Sequence, residues 1–362
     1  MNYFSSLQIW DKFGMFRREI LLYNSLAKEF NKIYIFTYGD MKELDYAQYF
    51  EKNVIIVPKK FKIPDVIYEF LLPFVRRKYI KECDIFKTNQ NSGAIAPTIA
   101  KIIYRKKLIV RSGYVGSDFA KLNSWPLYAK LYFWFAENFS YYFCDQAFVP
   151  TQKGYNYLIK KYKFLKNKLM MMNNFVDVDF FRRKDQDKKY DIIYVARLDG
   201  KQKNHRGLLE AAEGLILKIL FIGQGTEKIN ILDEAKKRNI DLQLKEMVPH
   251  QEIADYYNSA RMCVFPSLFE GNPKALLEAM SCELPVVAFN VPGISNLIRN
   301  GETGLISAVD SDIMRDNIQR IIRDRTLAER LGKNARQFIM DNFSFKRLLT
   351  KEIEVYKFLL KK

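Results

Sequence analysis

Short apolar runs alternate with amphipathic segments along the first half of the chain. Apolar runs bounded by turn residues predict buried strands, and apolar residues three and four positions apart predict helices. The predicted strands lie at residues 33–37, 54–57, 83–87, 108–111 and 145–149, with a weaker first strand within residues 1–10. The predicted helices lie at residues 16–30 and 92–103. This alternation predicts an α/β fold built on a parallel sheet.

A second alternation begins after residue 168. Its strands are predicted at residues 169–172, 190–196, 219–222, 241–244, 261–265 and 285–289, and its helices at residues 206–215, 251–259, 311–324 and 327–341. Asp177 and Asp179 are predicted to form a turn rather than a metal site, because no further carboxylate or histidine accompanies them. A chain of 362 residues is expected to form two domains. We place them at residues 1–172 and 173–343, followed by an amphipathic helix within residues 344–362.

One strand–loop–helix stretch, residues 265–280, carries candidate chemistry. Asn272 is predicted to cap the helix and Pro273 to open it. Glu270 lies just before the helix and Glu278 lies within it. Backbone N–H groups at a helix start bind phosphate readily, so this stretch offers an anion site with a carboxylate on either side. The alternative is an ordinary capped helix with two solvated glutamates.

Charged residues and glycines follow two other predicted strands. Arg197 and Lys203 come after the strand at 190–196, and Gly223 and Gly225 come after the strand at 219–222. Ligands of open parallel sheets bind outside the carboxyl ends of the strands. An arginine and a lysine there can bind phosphate oxygens, and a Gly-x-Gly turn lets a ligand approach the backbone. A solvated basic loop is the alternative for the two cations.

The charge of the chain is strongly positive and uneven. The net charge is +18, and the first 180 residues carry 28 basic and 16 acidic side chains against 31 and 25 in the remainder. A basic half attracts an anionic partner such as a phospholipid surface, a nucleic acid or a phosphorylated acceptor. No nucleic-acid-binding signature accompanies the charge. The four scattered cysteines favour a reducing cytosol, and no signal peptide or transmembrane segment is predicted.

Two segments of the first half combine apolar and basic residues in an unusual way. Residues 59–81 mix phenylalanines and leucines with lysines and arginines, and residues 124–143 are crowded with aromatic side chains. Aromatic residues beside basic ones suit a surface helix that lies in the headgroup layer of a membrane. The alternative is a buried core helix with a basic flank.

Taken together, these features resemble the family 4 retaining glycosyltransferases, which have the GT-B fold. The resemblance covers most of residues 169–343 and rests on five features in order. They are the Arg-Leu…Lys-Asn turn (Arg197, Lys203), the Gly-x-Gly turn (Gly223, Gly225), Pro-Ser (Pro266, Ser267), Glu-x7-Glu (Glu270, Glu278) and a late run (Pro292, Gly293, Asn300, Gly301, Gly304). The resemblance implies two Rossmann-like domains facing a central cleft. The first would bind the acceptor and the second the nucleotide-sugar, with the last helix crossing back to the first.

The resemblance also implies roles for single residues. Glu270 would hold the donor sugar, and Arg197 and Lys203 the diphosphate; these three are the expected catalytic residues. Glu278 would hold the ribose, and the region of Met247 would cover the base. The other expected donor-binding residues are Gly14, Gly223, Gly225, Gly271, Asn272, Pro273, Lys274, Ala275 and Leu276. No metal or other cofactor is expected, because two cations and a helix end supply the positive charge.

The chain departs from the family pattern on the acceptor side. Gly14 is the single glycine of a first loop that usually carries a pair. Many members carry a histidine after the strand that corresponds to residues 108–111, where this chain has Ser112 and Gly113. The group that would act on the acceptor therefore stays open.

The predicted function is the retaining transfer of a hexose-type sugar from a nucleotide diphosphate-sugar to a lipid-linked or polysaccharide acceptor. The protein is expected in the cytoplasm, peripheral on the inner face of the cell membrane, where it would meet anionic lipid and no nucleic acid. Two alternatives remain open. One is a nucleotide-sugar 2-epimerase on the same fold, and the other is a basic non-enzymatic protein that binds membranes or nucleic acid.

Overall fold

The computed structural model describes residues 5–12, 14–113, 126–246 and 248–361. The chain divides into two compact units. The N-terminal unit comprises Met1–Asn173 and Leu348–Lys362, and the C-terminal unit comprises Asn174–Arg347.

The N-terminal unit alternates helices with short parallel strands. Its helices are α1 (Leu7–Lys12), α2 (Phe16–Ala27), α3 (Asp65–Val75), α4 (Arg77–Glu82), α5 (Ile95–Tyr104), α6 (Leu127–Phe143) and α7 (Gln152–Lys161). Its strands are β1 (Ile33–Phe36), β2 (Val54–Val57), β3 (Ile85–Lys87), β4 (Lys107–Arg111), β5 (Gln146–Val149) and β6 (Leu169–Met171). Strands β1 and β2 form one parallel pair, and β3, β4, β5 and β6 form a parallel sheet in chain order.

The start of the chain differs from the prediction. The weak strand predicted within residues 1–10 is wrong for residues 7–10, which begin α1; residues 1–4 lie outside the described residues. The carboxylate of Glu43 accepts hydrogen bonds from the backbone N–H groups of Leu7 and Gln8, at 2.7 and 3.2 Å. Ser6 Oγ accepts from the N–H of Ile9 at 3.1 Å. These acceptors satisfy the open end of the helix, which a local apolar pattern does not reveal.

The C-terminal unit is a doubly wound α/β unit. Its strands are β7 (Tyr190–Val195), β8 (Lys218–Ile222), β9 (Asp241–Lys245), β10 (Ala260–Phe265), β11 (Val286–Phe289) and β12 (Leu305–Ser307). Its helices are α8 (His205–Ala212), α9 (Lys228–Lys237), α10 (Ile253–Asn258), α11 (Lys274–Ser281), α12 (Ser311–Arg323) and α13 (Arg325–Phe343). All six strands are parallel and lie in the order β12-β11-β10-β7-β8-β9. The predicted α/β class with parallel sheets is confirmed.

The central strands of this sheet are buried along nearly their whole length. Every residue of β11 is buried, and β10 exposes only Arg261. Strands buried on both faces consist of continuous apolar runs, which is why they were visible in the sequence. The turn predicted at Asp177 is also confirmed, because its Oδ1 accepts from the N–H groups of Asp179 and Phe180 at 3.2 Å.

The last helix, α14 (Phe345–Lys361), ends in the N-terminal unit. Glu352 forms an ion pair with Lys87 of β3 and accepts a hydrogen bond from Tyr356 at 2.5 Å. Lys357 forms an ion pair with Glu29 at 2.8 Å. Among the described residues, no helix is long and apolar enough to cross a bilayer.

Candidate functional site

The sheet of the C-terminal unit changes its direction of winding between β7 and β10. From β7 the chain adds β8 and then β9 on one side, and later adds β10, β11 and β12 on the other side of β7. In open parallel sheets of this kind, the loops that leave the carboxyl ends of the two strands at the reversal diverge and form a ligand-binding crevice. The loops after β7 and β10 are those that carry the predicted charged residues.

Hydrogen bonds hold these two loops together. The N–H of Leu268 donates to the carbonyl of Gln202 at 2.9 Å, and the side-chain amide of Gln202 donates back to the carbonyl of Phe269 at 2.9 Å. The side-chain amide of Asn204 donates to the carbonyl of Pro266 at 3.1 Å. The charged residues therefore lie on two loops that are hydrogen-bonded to each other.

Lys203 and Glu270 meet directly across the loops. Lys203 Nζ lies 2.6 Å from Glu270 Oε1, and the two side chains are 18% and 6% exposed. The phenol of Tyr194 donates to the backbone carbonyl of Lys203 at 2.8 Å and fixes that end of the turn. A charge-assisted hydrogen bond with little water around it is stronger than a surface ion pair, so the pair is held in place before any ligand arrives.

The helix after this loop begins one residue later than predicted. Pro273 occupies the cap position with ψ of 108° and supplies no side-chain hydrogen bond, so the prediction of Asn272 as the cap is wrong. Extended backbone at Pro273 moves the first helical residue to Lys274. The carbonyl of Asn272 instead accepts from the side-chain amide of Asn174 at 3.2 Å. Because the cap residue offers no side-chain acceptor, the start of α11 keeps the character of an anion-binding helix end.

The predicted donor-binding residues around this helix start differ in their exposure to solvent. Gly271 is exposed, whereas Lys274 and Ala275 are half-buried and Leu276 is buried. The buried Leu276 anchors the first turn in the core. The first turn is thus fixed by packing.

Glu278 is half-buried and oriented by a tyrosine. The phenol of Tyr257 lies 3.3 Å from Glu278 Oε2 and 3.2 Å from the carbonyl of Ala275. Burial, followed by the charge of Glu278, raises the pKa of Tyr257 well above its ordinary value. The phenol therefore stays protonated and acts as a hydrogen-bond donor near neutral pH.

Gly293 shapes the backbone beneath Glu270. It has φ of +86°, and a Cβ there would stand 2.1 Å from the carbonyl oxygen of Glu270. The N–H of Glu270 donates to the carbonyl of Pro292 at 2.9 Å. The Pro-Gly of the late sequence run thus has a structural reason, since only glycine fits this close approach.

The two glycines after β8 also face protein backbone. A Cβ on Gly223 would lie 1.7 Å from the carbonyl oxygen of Ala196, and one on Gly225 would lie 2.1 Å from the carbonyl carbon of Leu198. Both glycines therefore let the β8 turn pack against the loop that carries Arg197. Their contact with a ligand stays a prediction.

Arg197 is the most open of the predicted charged residues. Its side chain is 77% exposed and lies 3.3 Å from Asp199. Its carbonyl lies 3.1 Å from Nε2 of the buried His205. Burial lowers the pKa of His205, so the ring is neutral and donates this hydrogen bond near neutral pH. The backbone of Arg197 is fixed while its guanidinium remains available.

Two predicted donor residues lie elsewhere. Gly14 belongs to the N-terminal unit, where it forms the turn before α2 with φ of +65°. Met247 lies outside the described residues. A cavity of about 680 Å³ occurs in the N-terminal unit between β1 and β3, and none of the predicted site residues lines it.

Sequence reasoning missed the residues that support the charged groups. They are Tyr194, Gln202, Asn204, His205 and Tyr257. Asn204 has φ of +46°, and asparagine tolerates the left-handed region better than most residues, so the Lys-Asn pair carried a turn signal. The other four carried none, because their partners lie at least eight residues away in the chain.

Comparison with known proteins agrees with this geometry. Residues 175–338, nearly all of the C-terminal unit, match the family model described as glycosyl transferases group 1. The capsular polysaccharide biosynthesis glycosyltransferase CapM of Staphylococcus aureus is 30% identical over 172 residues, which are 45% of this chain and 44% of CapM. The chain thus spans less than half the length of that relative.

Two solved structures share the fold over nearly the whole chain. A sucrose-phosphate synthase from Thermosynechococcus elongatus has a TM-score of 0.76 at 20% identity and covers 96% of this chain and 94% of its own. HepE from Anabaena, in complex with UDP, has a TM-score of 0.77 at 15% identity and covers 93% and 95%. These likenesses establish the GT-B architecture of the two units.

Proposed function

We propose that this chain, whose C-terminal unit carries a group 1 glycosyl transferase domain, is a retaining glycosyltransferase with a nucleotide diphosphate-sugar as donor. The single observation that carries the proposal is the Lys203–Glu270 pair beside the start of α11, at the point where the sheet reverses its winding. A preorganised cation next to a helix start suits a diphosphate leaving group, because charge develops there as the sugar departs.

Each charged residue then has a distinct task. Lys203, Arg197 and the N–H groups at the start of α11 bind the diphosphate, with the backbone of residues Gly271–Leu276 around it. Glu270 binds hydroxyls of the sugar and holds Lys203 toward the phosphates. Glu278, oriented by Tyr257, accepts hydrogen bonds from the ribose. The positive charge that stabilises the leaving group comes from the two cations and the helix end, so we propose that transfer needs no metal.

For the acceptor we propose a lipid-linked or polysaccharide chain. The name of CapM, which places that relative in capsular polysaccharide biosynthesis, supports a glycan acceptor here. We further propose that the protein works in the cytoplasm, peripheral on the inner face of the cell membrane. The basic first half of the sequence supports an anionic surface as its partner.

The donor site is tested by truncating its charged residues one at a time. We expect Glu278→Ala and Lys203→Ala each to lower donor turnover by roughly 10- to 150-fold, since each removes charge-assisted hydrogen bonds of about 1.5–3 kcal/mol. UDP-sugars are the first donors to try, because HepE was solved with UDP. Turnover is measured as release of nucleoside diphosphate, and circular dichroism checks that each variant stays folded.

A matched control comes from the same unit. Glu329 lies on the exposed side of α13 and pairs with Arg325 in an i,i+4 arrangement. Glu329→Ala is expected to leave turnover unchanged. Unaltered turnover in both Glu278→Ala and Lys203→Ala would refute the assignment of the donor site.

The retaining outcome and the epimerase alternative are separated by one NMR experiment. The protein is incubated with a nucleotide-sugar, with and without a glycan acceptor, and the anomeric proton is followed. We expect a transferred sugar that keeps the anomeric configuration of the donor. Inversion at the sugar's second carbon without any acceptor would instead favour a 2-epimerase.

A further inference from the structure

Helix α3 turns its apolar residues toward solvent. Its exposed positions repeat as adjacent pairs four residues apart, so they form one face of the helix. These residues are Val66, Ile67, Phe70, Leu71, Phe74 and Val75, at 37–53% exposure. The opposite face carries Glu69, which is fully buried. The usual arrangement of a surface helix, with its charge outside and its apolar side inside, is reversed here.

Helix α6 repeats this reversal. Its exposed residues also follow helical spacing and are Leu127, Tyr128, Leu131, Trp134, Phe135 and Tyr142, at 42–76% exposure. Its buried face includes Glu137, which pairs with Lys161 at 2.8 Å and accepts from the phenol of Tyr162 at 2.9 Å. The core-helix alternative for residues 124–143 is therefore wrong for the outer face of α6.

The two reversed helices belong to one packed group. Helix α5 packs against both α3 and α6. The phenol of Tyr132 in α6 donates to Glu69 Oε2 of α3 at 2.6 Å, and the phenol of Tyr104 in α5 donates to the carbonyl of Pro73 in α3 at 3.0 Å. Part-buried hydrogen bonds thus hold the helices together, while their apolar faces remain exposed.

Basic residues stand at both ends of α3. Lys60 and Lys62 precede it and Arg77 and Lys78 follow it, and all four are exposed. A lipid surface with hydrocarbon beneath anionic headgroups complements an apolar face rimmed by cations, and tryptophan and tyrosine suit the boundary between the two layers. A symmetric dimer through the same face would set these cations against their own copies, which is unfavourable.

We propose that the exposed faces of α3 and α6 form a docking surface that enters the headgroup layer of an anionic phospholipid bilayer. This surface comprises the twelve apolar residues named for the two helices and the basic residues at the ends of α3. The inference rests on the proposed function in one respect: the docking surface would bring the protein to the membrane that carries a lipid-linked acceptor. Donor binding in the C-terminal unit does not depend on it.

The surface is tested by sedimentation of the full chain with vesicles. The probes are vesicles of phosphatidylcholine alone and of phosphatidylcholine mixed with phosphatidylglycerol. We expect binding to the anionic vesicles that weakens with salt. The triple variants Phe70→Ser/Leu71→Ser/Phe74→Ser and Leu131→Ser/Trp134→Ser/Phe135→Ser should each lower the partition coefficient by about tenfold or more. Each substitution removes exposed apolar area that the bilayer would otherwise cover.

The C-terminal unit supplies a matched control. Ile216 and Ile229 are also exposed, at 104% and 71%, but lie in the other unit. The variant Ile216→Ser/Ile229→Ser should bind vesicles as the unaltered chain does. If it loses binding as strongly as the two triple variants, the surface is not specific to α3 and α6.

Insertion is measured independently through Trp134. The chain has three tryptophans, and Trp10 is buried. In a chain that carries Trp125→Phe, vesicles with brominated acyl chains should quench the fluorescence, and adding Trp134→Phe should remove most of this quenching while the protein still sediments with vesicles. Binding without quenching of Trp134 would overturn the insertion of α6.

Two further results would overturn the proposal. One is the absence of any partition to anionic vesicles at low salt. The other is a lipid-free dimer, seen by sedimentation velocity, that the two triple variants dissociate. A thermal-shift titration with UDP on every variant keeps the questions separate, because the proposed UDP site lies in the C-terminal unit and a ligand stabilises the state that binds it. If the unaltered chain binds UDP but does not partition to anionic vesicles, the α3–α6 surface is rejected and the donor site is not. In the two triple variants, lost vesicle binding with intact UDP binding is the expected result.

Discussion

In the C-terminal unit, β10 and β11 bury their valines and phenylalanines and leave charge to the loops, whereas in the N-terminal unit α3 and α6 expose phenylalanine and tryptophan and bury glutamates. Of the large apolar residues that are exposed in the described part of the chain, 23 lie in the N-terminal unit and nine in the C-terminal unit. The difference indicates different partners. This supports our proposals of a small anionic ligand for the C-terminal unit and an extended apolar surface as the partner of the N-terminal unit.

The buried carboxylates follow the same division. Among the described residues, the carboxylate side chains that are buried belong to Glu43, Glu69, Glu137 and Glu352. All four lie in the N-terminal unit. Each accepts hydrogen bonds from another element. Such contacts contribute little net stability but define which elements pack together.

A lysine–glutamate pair in each unit makes the comparison sharper. Lys87 and Glu352 are 12% and 4% exposed, and Lys203 and Glu270 are 18% and 6% exposed. The first pair joins a strand to the last helix and is completed by Tyr356. The second joins two loops at the edge of a sheet. The two pairs are thus almost equally buried, but the first holds packed elements together and the second, as we propose, binds a ligand.

The largest expected effect comes from breaking the pair of the N-terminal unit. Glu352→Gln leaves Lys87 buried without a counter-charge, so we expect the free energy of unfolding to fall by about 3–5 kcal/mol. All three tryptophans lie in this unit, so urea unfolding followed by tryptophan fluorescence reports on it.

The double variant Lys87→Met/Glu352→Leu is the control for this measurement. It removes both charges together and should regain most of the loss. Glu270→Gln should lower the free energy of unfolding by less than Glu352→Gln does, because water and anions can reach Lys203 at its loop. Unfolding of this variant is followed by circular dichroism. Equal losses for Glu352→Gln and Glu270→Gln would remove the distinction between the two pairs.

The elements that were predicted correctly owe their signal to local pattern. Strand β2 has its predicted bounds. Apart from the weak strand predicted within residues 1–10, the predicted strands of both units are found within a few residues, because buried parallel strands are continuous apolar runs. The charged residues of the candidate site were predicted from their order along the chain. Lys203 and Glu270 each follow a strand that ends at the same edge of the sheet.

What could not be predicted depends on partners that are distant in sequence. Glu43 caps α1 from 36 residues away, and Tyr132 meets Glu69 across 63 residues. The outward face of α6 follows from such contacts, since an aromatic segment alone does not reveal which side is buried. The contact between Lys203 and Glu270 spans 67 residues and needed the strand order first.

A second, smaller effect is expected in the pH dependence of stability, because one of the buried carboxyl groups, Glu69, ionises at different pH values in the folded and unfolded chain. Burial raises the pKa of Glu69 to about 7, and hydrogen bonds from Tyr132 and Ile95 offset only part of this rise. The unfolded chain loses this proton near pH 4.5, so stability falls as the pH rises from about 4.5 to 7, by up to about 3 kcal/mol. Glu69→Gln has no proton to lose and should flatten this part of the pH profile.

The measurement is the urea midpoint of tryptophan fluorescence at pH 5 and at pH 8. The unaltered chain should be less stable at pH 8 than Glu69→Gln, and the two should approach each other at pH 5. Glu51→Gln, at an exposed position of the same unit, should follow the unaltered chain. A pH profile that Glu69→Gln does not change would mean that ionisation of Glu69 has no cost in the folded state.

The smallest effect is expected at Gly293, within the C-terminal unit. A Cβ at this position meets the carbonyl of Glu270, whereas a Cβ at Gly301, with a similar φ of +75°, meets nothing within 4 Å. Both alanine variants pay for the left-handed conformation, about 1–2 kcal/mol. Gly293→Ala alone must also displace Glu270, so it should weaken UDP binding in a thermal-shift titration while Gly301→Ala does not. Equal UDP affinity in the two variants would show that the position of Glu270 is not what the donor site depends on.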